Sequence, residues 1–302
     1  MEPNNKKVYL AATAYALITG LSYLFVKIAL ESSDPFDLLA YRFSAAFLAV
    51  LISYMFKWIR VNYSRERILK IIPIALLYPL SFFAFQTFGL QYTSSAEGGI
   101  LLSASPIFTL ILATYFLKEK TALLQKLSIL ISVSGVIYIT INKSSNLDFN
   151  NIRGTVLLIL AALSISGYSV MARRLTKDFT SIELSSMMIL ISFVSYNSIS
   201  VVKHLMNGTL SNFLQPLTNI SFIIAILYLG VLSSLGTSLM TNYILSKIEA
   251  SKMSVFSNLG TVITIMAGTA FLKEKIYLYH IIGSILIVGG VLGANFLDKK
   301  HA

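Results

Sequence analysis

Leu117-Lys118-Glu119-Lys120 returns as Leu272-Lys273-Glu274-Lys275, 155 residues further along the chain. Between 117–136 and 272–291, eight of twenty aligned positions are identical, including the pair Gly135-Val136. Apolar composition alone would give about two or three identities over such a stretch. The sequence therefore predicts an internal duplication, with a first repeat over 1–147 and a second repeat over 148–302.

Ten apolar segments fill the chain on both sides of these motifs. A helix that crosses a bilayer needs about 20 mostly apolar residues. Segments of this length run over 8–30, 37–56, 69–90, 95–117, 121–141, 154–173, 182–202, 220–244, 250–272 and 276–296. The predicted fold class is therefore an all-α integral membrane protein with ten transmembrane helices.

Five helices in each half is an odd number, so the second half must enter the membrane from the opposite side. The ten helices are predicted to form two inverted five-helix repeats. Inverted repeats around a site at the bilayer midplane are typical of secondary transporters, because the two units can rock about a shared centre.

Composition excludes several other classes of protein. Apolar residues make up 56% of the chain and charged residues 12%, about half of the charged fraction of a soluble domain. There is no cysteine, which excludes disulfides and thiolate chemistry, and the three histidines are too scattered to suggest a metal site. The net charge of +11 comes from short segments between apolar runs, which does not favour nucleic-acid binding.

The distribution of Lys and Arg orients the predicted helices. Seventeen of them fall on the side of the N-terminus and five on the opposite side. Cytoplasmic loops carry an excess of positive charge, so both termini are predicted to be cytoplasmic, in a multi-pass protein of the plasma membrane. The first apolar run is too long for the core of a cleavable signal peptide.

The chain resembles the EamA-type family of the drug/metabolite transporter superfamily over nearly its whole length. The resemblance rests on Arg42-Phe43 early in span two, on Pro106 in span four before the Lys-Glu-Lys motif, and on the return of that block in the second half. It implies ten helices around a central cavity, with spans five and ten peripheral. It also implies transport of small organic metabolites, commonly amino acids and often as export. One departure is Thr261, which stands where the first repeat has Pro106.

Polar residues spaced by three or four along several spans are the predicted substrate-binding residues. Such stripes would lack hydrogen-bond partners against lipid, but could bind a polar solute across a cavity. The alternative is close packing between helices, which small residues allow. The residues are Tyr15, Thr19, Ser22, Tyr78, Phe82, Gln86, Ser103, Ser164, Tyr168, Ser234, Thr237, Thr241, Ser257, Asn258 and Thr261.

Charged side chains near the ends of the spans form a second predicted set. Ionisable groups in a membrane are costly and are candidates for function. The hypothesis is that two clusters of ion pairs close opposite ends of the path in turn, and the alternative is that the side chains are static anchors at the headgroups. The predicted cluster outside is Lys27, Arg42 and Glu97, and the one inside is Arg173, Glu183 and Lys252.

The predicted function is secondary transport of a small polar organic metabolite by alternating access, with export favoured. A carrier of amphiphilic, drug-like or lipid-linked solutes is the alternative within transport, and a non-transporting membrane scaffold is the alternative outside it. No Gly-x-x-x-x-Gly-Lys-Ser/Thr motif occurs, so ATP-driven pumping is not predicted. Enzyme activity is not predicted either, because an intramembrane enzyme would need a clustered nucleophile and base, and the sequence has no cysteine and no His or Asp deep in a span. The predicted partners are a small-molecule substrate and membrane lipid, with a homodimer left open and no cofactor, metal or nucleic acid.

Overall fold

The computed structural model describes residues 3–59, 64–117, 123–143, 149–248 and 250–296. Within these ranges every regular element is helical. The helices are α1 (Pro3–Leu30), α2 (Pro35–Met55), α3 (Arg65–Ala75), α4 (Phe82–Tyr92), α5 (Ser95–Leu102), α6 (Ser105–Leu117), α7 (Leu123–Lys143), α8 (Phe149–Leu175), α9 (Ser181–Asn207), α10 (Ile220–Leu227), α11 (Thr237–Lys247), α12 (Ala250–Leu272) and α13 (Leu278–Phe296).

Seven helices in the described ranges are long and apolar enough to cross a membrane. They are Lys7–Leu30, Pro35–Met55, Arg65–Tyr92, Ser95–Phe116, Ile152–Leu175, Ser181–Asn207 and Ile220–Lys247. Each falls on a segment predicted from hydropathy, which confirms an all-helical fold of the membrane type. The helices α7, α12 and α13 cover the other three segments. Their crossing of the membrane, which would bring the total to ten, stays a prediction, as does the inversion of the halves.

Local sequence explains where several helices begin. Asp34 caps α2, where its carboxylate accepts from the Phe36 and Asp37 amides, and Pro35 suits the first helical turn because it has no N–H to satisfy. Ser94 and Thr180 each start a helix with a reciprocal capping box, in which the Glu three residues later bonds back. The two acids of the predicted gating set, Glu97 and Glu183, therefore also stabilise helix starts.

The third and eighth predicted spans are both interrupted by a π-helical segment, over Leu76–Ser81 and Tyr228–Gly236. In the first break, Tyr78 has extended backbone angles (φ −143°, ψ 125°) next to Pro79, which cannot donate a helical hydrogen bond. At the repeat offset, 76–81 corresponds to 231–236. The offset also relates Thr93 to Ile248, where both spans end in nearly the same extended conformation. Tyr78 in the first break, and Ser233 and Ser234 in the second, are buried in the bundle.

Contacts between the halves build the core of the bundle. Helix α1 packs against α12, α4 against α8, and α2 against α9. The helices α7 and α13 pack chiefly on each other. At this last contact, a Cβ added to Gly283 would lie 2.2 Å from Ile139 Cγ1 and 3.1 Å from the Gly135 carbonyl oxygen. The two backbones therefore approach closely because both helices carry glycine there.

Replacing Gly283 by leucine is expected to destabilise the protein by about 1–3 kcal/mol, since the new side chain has no space against Ile139. Gly289 lies in the same helix and has no neighbour within 4 Å of an added Cβ, so Gly289→Leu is the matched control. Melting temperatures of the purified variants in one detergent test this. Equal melting temperatures for the two variants would contradict the close approach of α7 and α13.

Candidate functional site

A cavity lies in the middle of the bundle, between residues of both halves. Its volume is about 60 Å³. Its described lining carries hydroxyl groups, one amide and several aromatic rings, but no charged side chain. The lining residues are Tyr15, Thr19, Gly20, Ser22, Tyr23, Tyr78, Phe82, Phe83, Gln86, Gly99, Leu102, Ser105, Ile165, Ser233, Thr237, Thr241, Gly260, Thr261 and Thr264.

Hydroxyl groups around the cavity donate mostly to backbone carbonyls. Ser22 donates to the Thr19 carbonyl (2.7 Å), Thr261 to the Gly99 carbonyl (3.1 Å) and Thr264 to the Gly20 carbonyl (2.9 Å). A hydroxyl that donates in this way keeps lone pairs that can accept a further hydrogen bond. The lining therefore offers several hydrogen-bond acceptors to the N–H or O–H groups of a solute.

Gln86 is the lining residue with an unused polar atom. Its side chain is 2% exposed, and its Oε1 has no hydrogen-bond partner among the described residues. A buried carbonyl without a donor is costly, so this atom favours a bound group that carries an N–H or O–H.

Aromatic rings form one wall. The rings of Tyr78 and Phe82 lie 5.4 Å apart, and those of Phe82 and Phe83 lie 4.8 Å apart. Tyr78 comes from the first π-helical break, and its hydroxyl lies 3.5 Å from Thr237 Oγ1, at the end of the second break. The two broken spans thus meet at the cavity.

The cavity brings together nine of the predicted substrate-binding residues, which are Tyr15, Thr19, Ser22, Tyr78, Phe82, Gln86, Thr237, Thr241 and Thr261. These nine residues, which the sequence predicted separately on several spans, therefore lie around one cavity. A role in binding stays a prediction for each of them.

Four other predicted residues lie outside this lining. Ser103 and Ser164 donate to carbonyls of their own helices, those of Ile100 and Leu160. Tyr168 lies behind Tyr78, with the ring centroids 4.7 Å apart, and donates to Asn242 Oδ1 at 2.5 Å. Ser234 accepts a hydrogen bond from Arg42. The side chains of the two remaining predicted residues, Ser257 and Asn258, are outside the described part of the protein.

Sequence reasoning missed several lining residues, chiefly Tyr23, Phe83 and Ser233. Tyr23 follows Tyr15 and Thr19 at spacings of four, so it shares their helical face and the pattern could have found it. Ser233 precedes Thr237 and Thr241 at the same spacing of four, so the pattern could have found it as well.

Arg42 is fully buried in the described bundle. Its Nε donates to Ser234 Oγ at 2.7 Å and its Nη2 to Ser233 Oγ at 2.9 Å. Its guanidinium carbon lies 3.8 Å from the centre of the Phe83 ring. Arg42 thus bonds to hydroxyl groups from the second half, and its role in an ion-pair cluster stays a prediction.

Glu274, from the second Lys-Glu-Lys motif, reaches across to the first half. Its carboxylate accepts from the Ser95 amide (2.7 Å), the Ser95 hydroxyl (2.9 Å) and the Ala96 amide (3.0 Å), at the start of α5. A carboxylate in this position satisfies amides that a helix leaves unpaired and favours the positive end of its dipole. Glu119, its counterpart in the first repeat, lies outside the described residues.

The predicted outer charges lie near this contact. Glu97 Oε1 lies 3.3 Å from Nε2 of His280, whose Nδ1 accepts from the Tyr277 amide. Nε2 must therefore carry the proton and donate to Glu97 when the ring is neutral. Lys27 shares a surface pocket with Glu31 and Glu274. The pairing of Lys27 with Glu97 stays a prediction.

At the opposite end of the bundle, Glu183 forms an ion pair with Arg67, whose Nη2 lies 2.8 Å from Glu183 Oε1. The predicted partner Arg173 instead donates to the Leu245 carbonyl. The side chain of Lys252 is outside the described part of the protein. In the described structure Glu183 is thus paired with Arg67, and a gating role for Arg173, Glu183 and Lys252 stays a prediction.

A third charged cluster was not predicted. Asp37 is 5% exposed and lies 2.9 Å from His204 Nε2, and it also accepts from Ser200. Lys203 binds Asp34 beside it. Burial alone would raise the pKa of the Asp34 carboxyl, but hydrogen bonding with Asp37 and Lys203 holds that pKa below its ordinary value. This cluster joins the start of α2 to the end of α9.

Comparison with known proteins identifies the family. The profile of the EamA-like transporter family matches residues 6–141 and 152–296. The chain belongs to the EamA-like transporter family. This EamA-like protein is 44% identical to the uncharacterized transporter YcxC of Bacillus subtilis (strain 168), over 97% of this chain and 94% of that one. It is 28% identical to the uncharacterized transporter YyaM of the same organism, over 95% and 93% of the two chains.

More distant similarities extend beyond bacteria. The WAT1-related protein At3g02690, chloroplastic, of Arabidopsis thaliana is 24% identical over 92% of this chain and 66% of its own length. One protein of known crystal structure superposes with a TM-score of 0.66 at 15% identity, over 98% of both chains, which shows a shared fold. This EamA-like chain is therefore an integral, multi-pass membrane protein of a transporter family, and its relatives are named as transporters rather than enzymes.

Proposed function

We propose that this EamA-like protein is a secondary transporter that moves a small polar, amino-acid-like metabolite across the plasma membrane, in the direction of export. The observation that carries the proposal is the central cavity, which is lined from both halves by buried hydroxyls, rings and an amide. A polar solute would replace lost hydration with hydrogen bonds from the lining. Gln86, with its unused Oε1, would accept from an N–H of such a solute.

The proposed mechanism is alternating access. Contacts between the halves at either end of the bundle would each form only when that end is closed, and would thus bias a two-state equilibrium. The hydrogen bond between Glu274 and Ser95 would be such a contact at one end of the bundle. The ion pair between Arg67 and Glu183 would be the contact at the other end. In this proposal both termini are cytoplasmic and the Glu274 end faces outward.

A carrier of amphiphilic or lipid-linked solutes remains the second candidate, since the aromatic wall would also suit an apolar group. A cavity of about 60 Å³ favours the smaller solute. A scaffold without transport activity is the third candidate.

Metabolites compared inside and outside cells that lack or overproduce the protein test the proposal. We expect one small polar solute to change in opposite senses in the two strains, and the purified protein to carry that solute across proteoliposomes. Gln86→Leu is expected to lower this flux at least tenfold, as loss of a buried hydrogen bond of about 1.4 kcal/mol implies. The control is Leu130→Ala, because Leu130 is an exposed apolar residue on α7 and does not line the cavity. If lipids alone change, or if no solute moves, the proposal is wrong.

A further inference from the structure

The guanidinium of Arg42 is a buried cation whose described hydrogen bonds go only to neutral groups. Placing a charge in a low-dielectric interior costs several kcal/mol unless it is paired or hydrogen-bonded. Ser233 and Ser234 satisfy two of its three nitrogens, but neither hydroxyl carries a negative charge. The site is therefore short of one negative charge.

One nitrogen of the group is also unused. Nη1 of Arg42 is buried and has no hydrogen-bond partner among the described residues. It is a strong donor that a solute could satisfy, and planar guanidinium groups match the geometry of carboxylates.

Arg42 lies directly behind the cavity wall. Two of its three partners, Ser233 and Phe83, line the cavity. None of the described lining residues is charged, so the guanidinium is the positive charge that contacts this wall. The rings of Tyr78, Phe82 and Phe83 next to it would pack against an apolar portion of the same solute.

We infer that Arg42 is a specificity-determining residue, which recognises a carboxylate of the transported solute at the wall formed by Ser233 and Phe83. The inference rests on the proposed transport function and narrows its substrates to solutes that carry a carboxylate, with an aromatic or apolar group attached. Binding such a solute at this wall would bring the missing negative charge next to the guanidinium, which contacts Ser233 and Phe83.

A purely structural role is the competing explanation. Arg42 belongs to the first half, and its two serine partners lie in the second π-helical break, so it could serve only to hold that break in place. Removing the charge would then lower stability but would not change which solutes bind.

The test compares two probes of the same shape and different charge, phenylacetate and phenylacetamide. The full-length protein in detergent is melted with 50 mM sodium phenylacetate, or with the amide and an equal concentration of sodium chloride. We expect phenylacetate to raise the melting temperature of the wild type by about 2–4 °C more than the amide does. Arg42→Met should lose this difference and Arg42→Lys should keep part of it.

Ser234→Ala is the matched control. It removes one hydroxyl partner of Arg42 but keeps the cation, so it should lower the melting temperature and still respond more strongly to phenylacetate. If the wild type responds equally to both probes, or if Arg42→Met keeps the difference, the inference is wrong. Proteoliposome flux of the solute found by metabolite comparison is a separate measurement. If the wild-type protein transports solutes without preferring carboxylates, the proposed transport function stands and the inference about Arg42 is wrong.

Discussion

Gly20→Leu is expected to abolish transport and to lower the stability of the protein by several kcal/mol. A Cβ on Gly20 would lie 2.7 Å from the Gly260 carbonyl oxygen and 2.7 Å from Ile263 Cβ. Both neighbours belong to α12, so the added side chain would push apart the helices that join the halves next to the cavity. Backbone atoms cannot move aside as a side-chain tip can, and overpacking of one residue typically costs about 1–3 kcal/mol or more.

Gly260→Ala is the graded control, since it faces Gly20 across the same contact. Its added Cβ would lie 3.3 Å from the Ala16 carbonyl oxygen, which requires a shift of only a few tenths of an ångström. Melting temperature and proteoliposome flux should therefore fall in the order wild type, Gly260→Ala, Gly20→Leu. A Gly20→Leu variant that melts and transports like the wild type would show that α1 and α12 do not pack in this way.

Glu274→Ala is expected to give the second large effect, by releasing the contact between the halves at the start of α5. Loss of its three hydrogen bonds leaves the Ser95 and Ala96 amides without a partner, at a cost of about 1–2 kcal/mol. If the contact holds this end closed, the closed state loses that free energy relative to the open one. A change of about 1.4 kcal/mol shifts the two-state equilibrium tenfold.

The absence of native cysteine makes this shift measurable. Ser22→Cys, in the cavity lining, should react with a membrane-impermeant thiol reagent about tenfold faster when combined with Glu274→Ala. Lys275→Ala, the exposed neighbouring residue, is the control and should leave the rate unchanged. An unchanged rate with Glu274→Ala would mean that the carboxylate only caps a helix and does not act on closure.

Hydropathy predicted the helices well because a helix that crosses a bilayer needs a certain length and an apolar composition. Both can be recognised in a single segment of sequence, without knowledge of its contacts. The spacing of Tyr15 and Thr19 likewise predicted one lined face, since α1 is an unbroken helix. Ser103 and Ser164 were assigned by the same rule, but they lie outside the cavity lining. Periodicity identifies which residues share one face of a helix, but it does not show whether that face lines a cavity or packs against another helix.

The charged residues could not be assigned from the sequence, because their partners lie far away along the chain. Glu183 pairs with Arg67, and Glu274 caps a helix 179 residues earlier. In sequence, Glu274 stands between Lys273 and Lys275, whereas its carboxylate accepts hydrogen bonds from Ser95 and Ala96 of the other half. Arg42 is the clearest case, since its partners depend on the π-helical break at Tyr228–Gly236.

Labelling of a cysteine at mid-depth in the cavity, from each face in turn, tests alternating access most directly. Thr19 lies in the lining near the middle of α1, and Thr19→Cys would be the chain's single thiol. We predict that an impermeant methanethiosulfonate reagent reaches it from either face of sealed vesicles, and that phenylacetate slows both reactions. Reaction from one face only, or none from either face while a thiol at exposed Lys275 reacts, would contradict the account.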